Sequence, residues 1–383
     1  MTKLRSHLRS LLPRAPGAAA QPLLVREYEE LARARLPQDV RDFIRGGSGT
    51  ESTLTANRAA LDRIRLRPRV LTDVSNCDLR TTLLGSDVSL PLGIAPMAYH
   101  RLAHPEGEVA TARGAGQAGV PLVVSIFASR TFEDIAEAAT GPLWLQLYWL
   151  RRKDLLTRLV SRAQDAGFRA LVLTVDAPRV GRRLRDVRGG FTLPEHVRAV
   201  NVDPSIMAAS HRGAPGVSAI ERHSREQFDS SATWADVARL RELSPLPLVL
   251  KGILTPQDAR LAVDVGADAV IVSNHGGRQL DGAVASVDAL PGIAAVVAGR
   301  CQVLVDGGIT HGTDVLKVLA LGADAALIGR PVLWALAHAG ARGVADVLGL
   351  IGGELEEAMA LCGRPLISDI DQSLADIPGG SAR

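Results

Sequence analysis

Short aliphatic runs recur along this chain, separated by longer stretches in which apolar residues return every three or four positions. The runs are Leu92-Gly93-Ile94-Ala95, Leu122-Val123-Val124-Ser125, Leu143-Trp144-Leu145-Gln146-Leu147, Leu171-Val172-Leu173-Thr174-Val175, Leu248-Val249-Leu250-Lys251, Ala269-Val270-Ile271-Val272, Val303-Leu304-Val305-Asp306 and Ala325-Ala326-Leu327-Ile328. Each has the length and apolar content of a buried strand. Segments such as Glu106–Ala118, Phe132–Ala139, Asp154–Ala166, Pro256–Val265 and Asp314–Leu321 carry the helical period instead. Eight such β–α units predict an α/β protein, a (β/α)8 TIM barrel. A doubly wound sheet would normally use fewer units and place a glycine fingerprint after its first strand, and none stands there.

Upstream of the barrel, Val25–Arg35, a short stretch through Ile44, and Ser48–Ile64 read as helices of an N-terminal annex. Residues 1–24 are expected to be a flexible tail, broken by Pro13 and Pro16. Residues 25–370 are expected to form one barrel domain, and residues 371–383 a C-terminal tail. The connection between the fourth and fifth strands, Arg179 to Ser244, is far longer than the others and rich in Gly, Pro, Ser and charge. Long connections of this kind are usually functional. It predicts a partly ordered lid, about residues 184–233, over the C-terminal mouth. Gly343–Leu361 reads as an amphipathic helix packed beside the annex.

Composition narrows the class of function. The chain has 383 residues, 46% apolar, with aromatics at only 3% and a net charge of +3. No basic run interleaves with aromatics, so a nucleic-acid partner is not expected. No apolar run approaches a membrane span. Three cysteines without metal-like spacing fit a reducing, cytoplasmic setting and no metal site. Only four lysines are present, which makes Lys251 at a strand end conspicuous.

Barrel enzymes keep their chemistry at the C-terminal ends of the strands. Here those ends carry Pro96-Met97-Ala98, Ser125, Gln146 with Tyr148, Thr174 with Asp176, Lys251, Ser273 with His275, Asp306-Gly307-Gly308 and Gly329-Arg330. The sixth end is the densest: Ser273-Asn274-His275-Gly276-Gly277-Arg278-Gln279-Leu280-Asp281 brings a hydroxyl, an imidazole and a guanidinium together around two glycines. The glycine turns at ends seven and eight suit a phosphate held by backbone N–H groups, with Arg330 as counter-charge. A buried Lys251 calls for an anionic or electron-rich partner, which a flavin edge supplies.

These motifs, with Gln146-Leu147-Tyr148 and Thr174-Val175-Asp176-Ala177-Pro178, resemble the FMN-dependent 2-hydroxy acid oxidase/dehydrogenase family over roughly Val25 to Leu366. Gly46–Glu51, Tyr99–Leu102, Gln146–Arg151 and Gly181–Asp186 are most similar to its 4-hydroxymandelate oxidases. The resemblance implies FMN as cofactor and His275 as the base, paired with Asp176. It implies Arg183 and Arg278 on the substrate carboxylate and Tyr148 on the hydroxyl or carboxylate side. Pro96, Met97, Ala98, Ser125, Gln146, Thr174, Lys251 and Ser273 would contact the flavin and ribityl parts. Asp306, Gly307, Gly308, Gly329 and Arg330 would hold ribityl and phosphate. A tetrameric homo-oligomer is also implied.

Two positions depart from the family pattern. Phe43 stands where an annex tyrosine usually binds the carboxylate, which leaves a more apolar wall. Thr310 stands where an arginine often follows Asp-Gly-Gly-x, which removes one positive contact near the phosphate. Phe43 and Phe127 are candidates for the pocket around the substrate side chain. The expected reaction is oxidation of a 2-hydroxy acid to a 2-oxo acid, on an aryl substrate such as mandelate or 4-hydroxymandelate, with dioxygen giving hydrogen peroxide. The alternatives are a dehydrogenase with another acceptor and an enzyme for lactate or glycolate. Substrate enantiomer, and hydride against carbanion chemistry, are not legible in the residues.

Overall fold

The eight aliphatic runs become eight parallel strands: β4 (Leu92–Met97), β5 (Leu122–Ser125), β6 (Leu143–Tyr148), β7 (Ala170–Thr174), β8 (Leu248–Ile253), β9 (Ala269–Val272), β10 (Gln302–Asp306) and β11 (Ala325–Ile328). They pair in chain order, and β11 returns to β4, closing the barrel. The computed structural model describes residues 22–202 and 219–377, without the side chains of Ile220 and His223.

Both faces of every strand are buried, so the runs are continuous in sequence yet alternate in space. One set, including Ile94, Val124, Leu145, Leu173, Leu250, Val272, Val305 and Ile328, packs outward against the helices. The other, including Ala95, Val123, Trp144, Val172, Val249, Ile271, Leu304 and Leu327, fills the barrel interior. Two residues further along, the inward positions turn from apolar to functional: Met97, Ser125, Gln146, Thr174, Lys251, Ser273, Asp306 and Gly329. The period of two therefore lays a polar layer directly on an apolar floor. An antiparallel hairpin, β2 (Thr81–Leu83) and β3 (Ser86–Val88), closes the opposite end. Its Leu83 and Val88 join the interior cluster. Gln302 fixes it, accepting from Leu84 N (2.9 Å) and donating to Thr82 O (3.0 Å).

The annex is α1 (Val25–Arg33), α2 (Gln38–Arg45) and α3 (Ser52–Arg63). Buried positions on α3 are Thr53, Asn57, Ala60 and Leu61, one helical face with two polar members. The outer ring contains α4 (Glu108–Ala118), α5 (Phe132–Ala138) and α6 (Lys153–Asp165), then α7 (Leu184–Gly189) and α8 (Ala219–Gln227) within the lid, then α9 (Trp234–Leu243). It continues through α10 (Pro256–Asp264), α11 (Ser286–Val297), α12 (Gly312–Ala320) and α13 (Arg330–Leu361). α13 bends at Ala339–Gly340, where the backbone leaves helical geometry, and packs along α1 and α4. The predicted helix beside the annex is the second half of this element. Among the described residues, no helix is long and apolar enough to cross a membrane.

The C-terminal boundary differs from expectation, and the long connection holds a helix that the sequence pattern did not single out. Trp234–Leu243, inside the long connection, is the ring helix that belongs to the fourth strand, with Val237 and Leu240 buried. The described part of the lid is tied down: Phe191, Leu193, Val197, Ala199 and Val202 are buried, and Val200 N donates to Ala128 O (3.2 Å). The ordered chain also runs beyond residue 370. Ala375–Asp376 forms β12, antiparallel to β1 (Arg65–Leu66), and Leu374 is fully buried. The first 21 residues of the expected N-terminal tail, the lid segment 203–218 and the last six residues lie outside the described residues.

Candidate active site

The site sits on the polar layer and is roofed by the annex and the lid. At its centre Lys251, Ser273 and Asp306 form a buried triangle. Lys251 Nζ donates to Ser273 Oγ (2.7 Å) and pairs with Asp306 Oδ2 (2.9 Å), and Ser273 Oγ donates to Asp306 Oδ1 (2.6 Å). A buried ammonium is tolerated because the carboxylate and hydroxyl compensate it. Beside it Gln146 Nε2 donates to Thr174 Oγ1 (3.0 Å), and Ser125 Oγ accepts from Phe127 N (3.1 Å). This ring of neutral donors and acceptors with one cation suits the edge of a flavin. Gly329 borders Met97, where an added Cβ would press on Sδ at 3.3 Å, so the strand end is shaped as a cradle. The helix start at Arg330 opens on the same corner.

His275 stands at the rim in left-handed backbone geometry, φ 61, uncommon for any residue with a Cβ, although His adopts it more readily than most. Its backbone N donates to Ser273 Oγ (3.0 Å), and Gly276 and Gly277 continue the positive-φ turn. Gly277 is required twice over, since a Cβ there would meet Leu54 N at 2.6 Å. Nδ1 of His275 lies 3.0 and 3.3 Å from the Asp176 carboxylate. That contact fixes the tautomer with the proton on Nδ1 and leaves Nε2 as the basic nitrogen. Burial lowers the proton affinity of the imidazole, and Asp176 opposes it, with a net value below the ordinary 6.5. Asp176 is raised by burial, but the His275 charge, its hydrogen bond and Lys251 outweigh this and hold the carboxylate below its usual range.

Three guanidiniums surround the mouth. Arg278 Nη1 donates to Phe43 O (2.9 Å) and Gly46 O (2.6 Å). Arg330 donates to Ile44 O (3.1 Å), Gly46 O (3.2 Å) and Gly276 O (3.0 Å). Burial and the neighbouring cations push the Arg278 proton affinity well below normal, and the same causes bring Arg330 down to about 10. Arg183 is buried at the start of α7, and its Nε has no hydrogen-bond partner. Phe43 lies under both Arg183 and Arg278, with ring-to-guanidinium distances of 5.8 and 5.3 Å, and stacks on Phe191 at 4.4 Å. Tyr148 stacks on Phe228 (4.5 Å) and Phe127 (5.7 Å), and Phe127 lies 6.4 Å from Tyr99. Burial raises the Tyr148 phenol further, so it remains a donor at neutral pH.

The structure thus gathers the predicted residues at one mouth, and it adds several that the sequence did not single out. Asn57 and Asn274 exchange side-chain amides, Nδ2 to Oδ1 in both directions (2.8 and 2.7 Å), which bolts α3 to the sixth strand end. Asp281 accepts from Thr50 N, Thr50 Oγ1, Ser52 Oγ and Thr53 N at the start of α3. Gln279 Nε2 donates to Asp176 O and Arg179 O, both at 3.0 Å, steadying the loop that carries Asp176. Phe228 comes from the end of α8, and Asp186 lies on α7. At the seventh strand end, Gly307 and Gly308 close against Asn57, where a Cβ on Gly308 would meet Asn57 O at 2.8 Å. Arg58 Nη1 reaches Gly308 O (2.8 Å) and Thr310 Oγ1 (3.1 Å), beside the corner that Thr310 leaves uncharged, while its charge is paired with Asp314 and Asp62. His100 is fully buried, its Nδ1 2.8 Å from Thr111 Oγ1, away from this chemistry.

A closed eight-stranded barrel with a buried lysine, a carboxylate-backed histidine and three arginines at its mouth defines a class, the flavin-dependent oxidoreductases of the TIM-barrel fold. The chain belongs to the FMN-dependent dehydrogenase family, whose match spans residues 32–376, and FMN is its cofactor. It is similar to a 4-hydroxymandelate oxidase of Amycolatopsis orientalis, 52% identical over 88% of this chain and 93% of that one. An L-lactate oxidase of Nostoc is 49% identical over 93% and 98% of the two chains. Among solved structures, mandelate oxidase with (S)-4-hydroxymandelic acid is 50% identical, with a TM-score of 0.88 over 91% of this chain and 97% of that one.

Proposed function

We propose that this protein oxidises an aryl 2-hydroxy acid of the mandelate or 4-hydroxymandelate type to the 2-oxo acid, with dioxygen as acceptor and hydrogen peroxide as product. The observation that carries the aryl assignment is the aromatic cluster of Phe127, Tyr148 and Phe228, whose Tyr148 feels the charges of Asp176, Arg183 and Arg278, together with the Phe43–Phe191 stack under the same two arginines. Phe43 offers no hydroxyl, so carboxylate binding falls to arginine forks, whose planar geometry suits it.

The residue roles follow from the geometry. Arg183 and Arg278 would hold the substrate carboxylate, and Tyr148 would donate to the hydroxyl or carboxylate side. A 2-hydroxy acid that becomes a 2-oxo acid loses two electrons and two protons. Nε2 of His275 is positioned to take one of those protons, and Asp176 stabilises the imidazolium that results. FMN, when bound, takes up the two electrons and the other proton. Lys251 would hold negative charge that develops on its ring, with Pro96, Met97, Ala98, Ser125, Gln146, Thr174 and Ser273 along the ring and ribityl edge. Asp306, Gly307, Gly308, Gly329 and Arg330 would line the ribityl and phosphate end. The same reading makes the protein a cytoplasmic homotetramer, which cell fractionation and light scattering test.

The decisive experiment is anaerobic titration of the FMN-loaded protein with glycolate, L-lactate, 4-hydroxymandelate and both mandelate enantiomers, followed by readmission of air. Aryl substrates should bleach the flavin with kcat/KM about tenfold or more above lactate, the scale of a few buried ring contacts. Preferential bleaching by glycolate or lactate would overturn the aryl assignment. Rapid recovery of colour in air is expected, and slow recovery would point to an acceptor other than dioxygen.

A further inference from the structure

We propose that Asp186 is a positioning residue of the substrate-carboxylate site, an internal counter-ion that keeps Arg183 charged and aimed without occupying its donors. The proposal rests on the functional reading above, since it assigns a task to the arginine that would meet the substrate anion.

Arg278 and Arg330 are each held by two or more backbone carbonyls. Arg183 has no comparable support. Its Nε is buried without a partner, and its ion pair is with Asp186, Nη1 to Oδ2, at 3.9 Å. The Asp186 side chain is 0% exposed, and neither carboxylate oxygen accepts a hydrogen bond. A buried carboxylate with both oxygens unpartnered is costly, and it persists only where a charge compensates it. Burial pushes the Asp186 carboxyl above its ordinary range and Asp42 adds to the rise; the charges that oppose it are Arg183 and, more weakly, Arg278.

The separation matters. At 3.9 Å the Coulomb attraction is retained while hydrogen-bond geometry is not satisfied. The next arginine on the same helix behaves in the opposite way. Arg185 Nε and Nη2 both sit 2.7 Å from the Glu51 carboxylate, and its fork is spent. Arg183 keeps its fork open for an incoming carboxylate. Asp186 is itself fixed, because its carbonyl accepts Phe191 N (3.0 Å), and Phe191 stacks on Phe43. The arginine, its counter-ion and the aromatic floor of the site are thus set by one short helix.

Removing the negative charge has two opposed effects, and the sign of the result separates them. Pure electrostatics predicts tighter anion binding once Asp186 is neutral. Positioning predicts weaker binding, because an uncompensated Arg183 is repelled by Arg278 and Arg330 and leaves its station. The probe is phenylacetate, an aryl carboxylate with no hydroxyl to oxidise, titrated into FMN-loaded protein by the change in the visible flavin spectrum. Asp186→Asn should raise the Kd about tenfold or more, as expected for a broken buried charge pair. Asp186→Glu should recover most of the loss. On an Arg183→Met background, Asp186→Asn should add less than about twofold, since it then has nothing to position. If the single Asn variant fails to fold while the Arg183→Met/Asp186→Asn pair purifies with FMN, the counter-ion role is again supported.

An unchanged or lower Kd in Asp186→Asn, additive losses in the double variant, or failure of both to fold would overturn the proposal. Wild-type protein that holds FMN but responds neither to phenylacetate nor to mandelate would refute the functional reading itself. Wild-type binding with an indifferent Asp186→Asn refutes only the role given to Asp186.

Discussion

An imidazole whose Nδ1 is tied 3.0 Å from a half-buried carboxylate has one nitrogen left for chemistry. Replacing His275 by Ala should lower the rate of anaerobic flavin reduction by about 10²–10⁴-fold, the usual worth of a positioned base, and stopped-flow absorbance measures it. The pH dependence carries a definite sign. Burial holds His275 below 6.5, so the base is neutral and active above that value, and kcat/KM should fall only as pH drops through the lowered pKa. Asp176 is what keeps that pKa from falling further. Asp176→Asn should therefore move the acid limb to lower pH while depressing the plateau. A limb that moves upward would contradict the assigned pairing.

At the scale of elements, the sixth strand end and α3 are one unit. Asp281 joins them by four accepted hydrogen bonds, and the Asn57–Asn274 amide pair bolts the middle. Asp281→Ala removes the N-terminal cap of α3 and should cost about 1–2 kcal/mol in chemical denaturation. Gly277→Ala should cost about 1–3 kcal/mol for the strained φ, with further loss from the clash with Leu54 N. Both variants should also retain FMN less well than wild type.

The eight strands, their order and the polar layer were legible because the barrel demands short, uninterrupted aliphatic runs with functional ends. The hairpin at 81–88 was not, because only Leu83 and Val88 bury and the rest alternates with polar residues and a Gly turn. Asn57 carries no mark of its own as a polar residue on a helix. Its helical spacing with Thr53, Ala60 and Leu61 was the available signal. Phe228 sat in a polar stretch, where a lone aromatic gives no period, and the i,i+3 spacing of Arg183 and Asp186 marks a helical pair without telling a buried one from a surface one.

For the molecule as a whole, the binding layer is made of inward side chains from nearly every strand, roofed by annex residues 43–58. A ligand that fills it touches the first and last thirds of the chain together. FMN should therefore stabilise the fold globally. At a free concentration a hundredfold above Kd the gain is about 2.7 kcal/mol, visible as a rise of several degrees in Tm between FMN-free and FMN-loaded protein. The β1–β12 pair and α13 against α1 close the same circuit from the other side. Truncation after residue 370 should lower Tm rather than trim a loose end.

The left-handed backbone at His275 sets activity against durability. At a standard helix or strand position, Gly in place of Ala weakens a protein. At position 275 the order should invert, because both substitutions delete the imidazole and only Ala keeps the Cβ that crowds a φ of 61. His275→Gly should melt higher than His275→Ala, and both should lose flavin reduction to a similar extent. Selection for robustness alone would drift this position toward glycine, so a side chain held there is maintained by what it does.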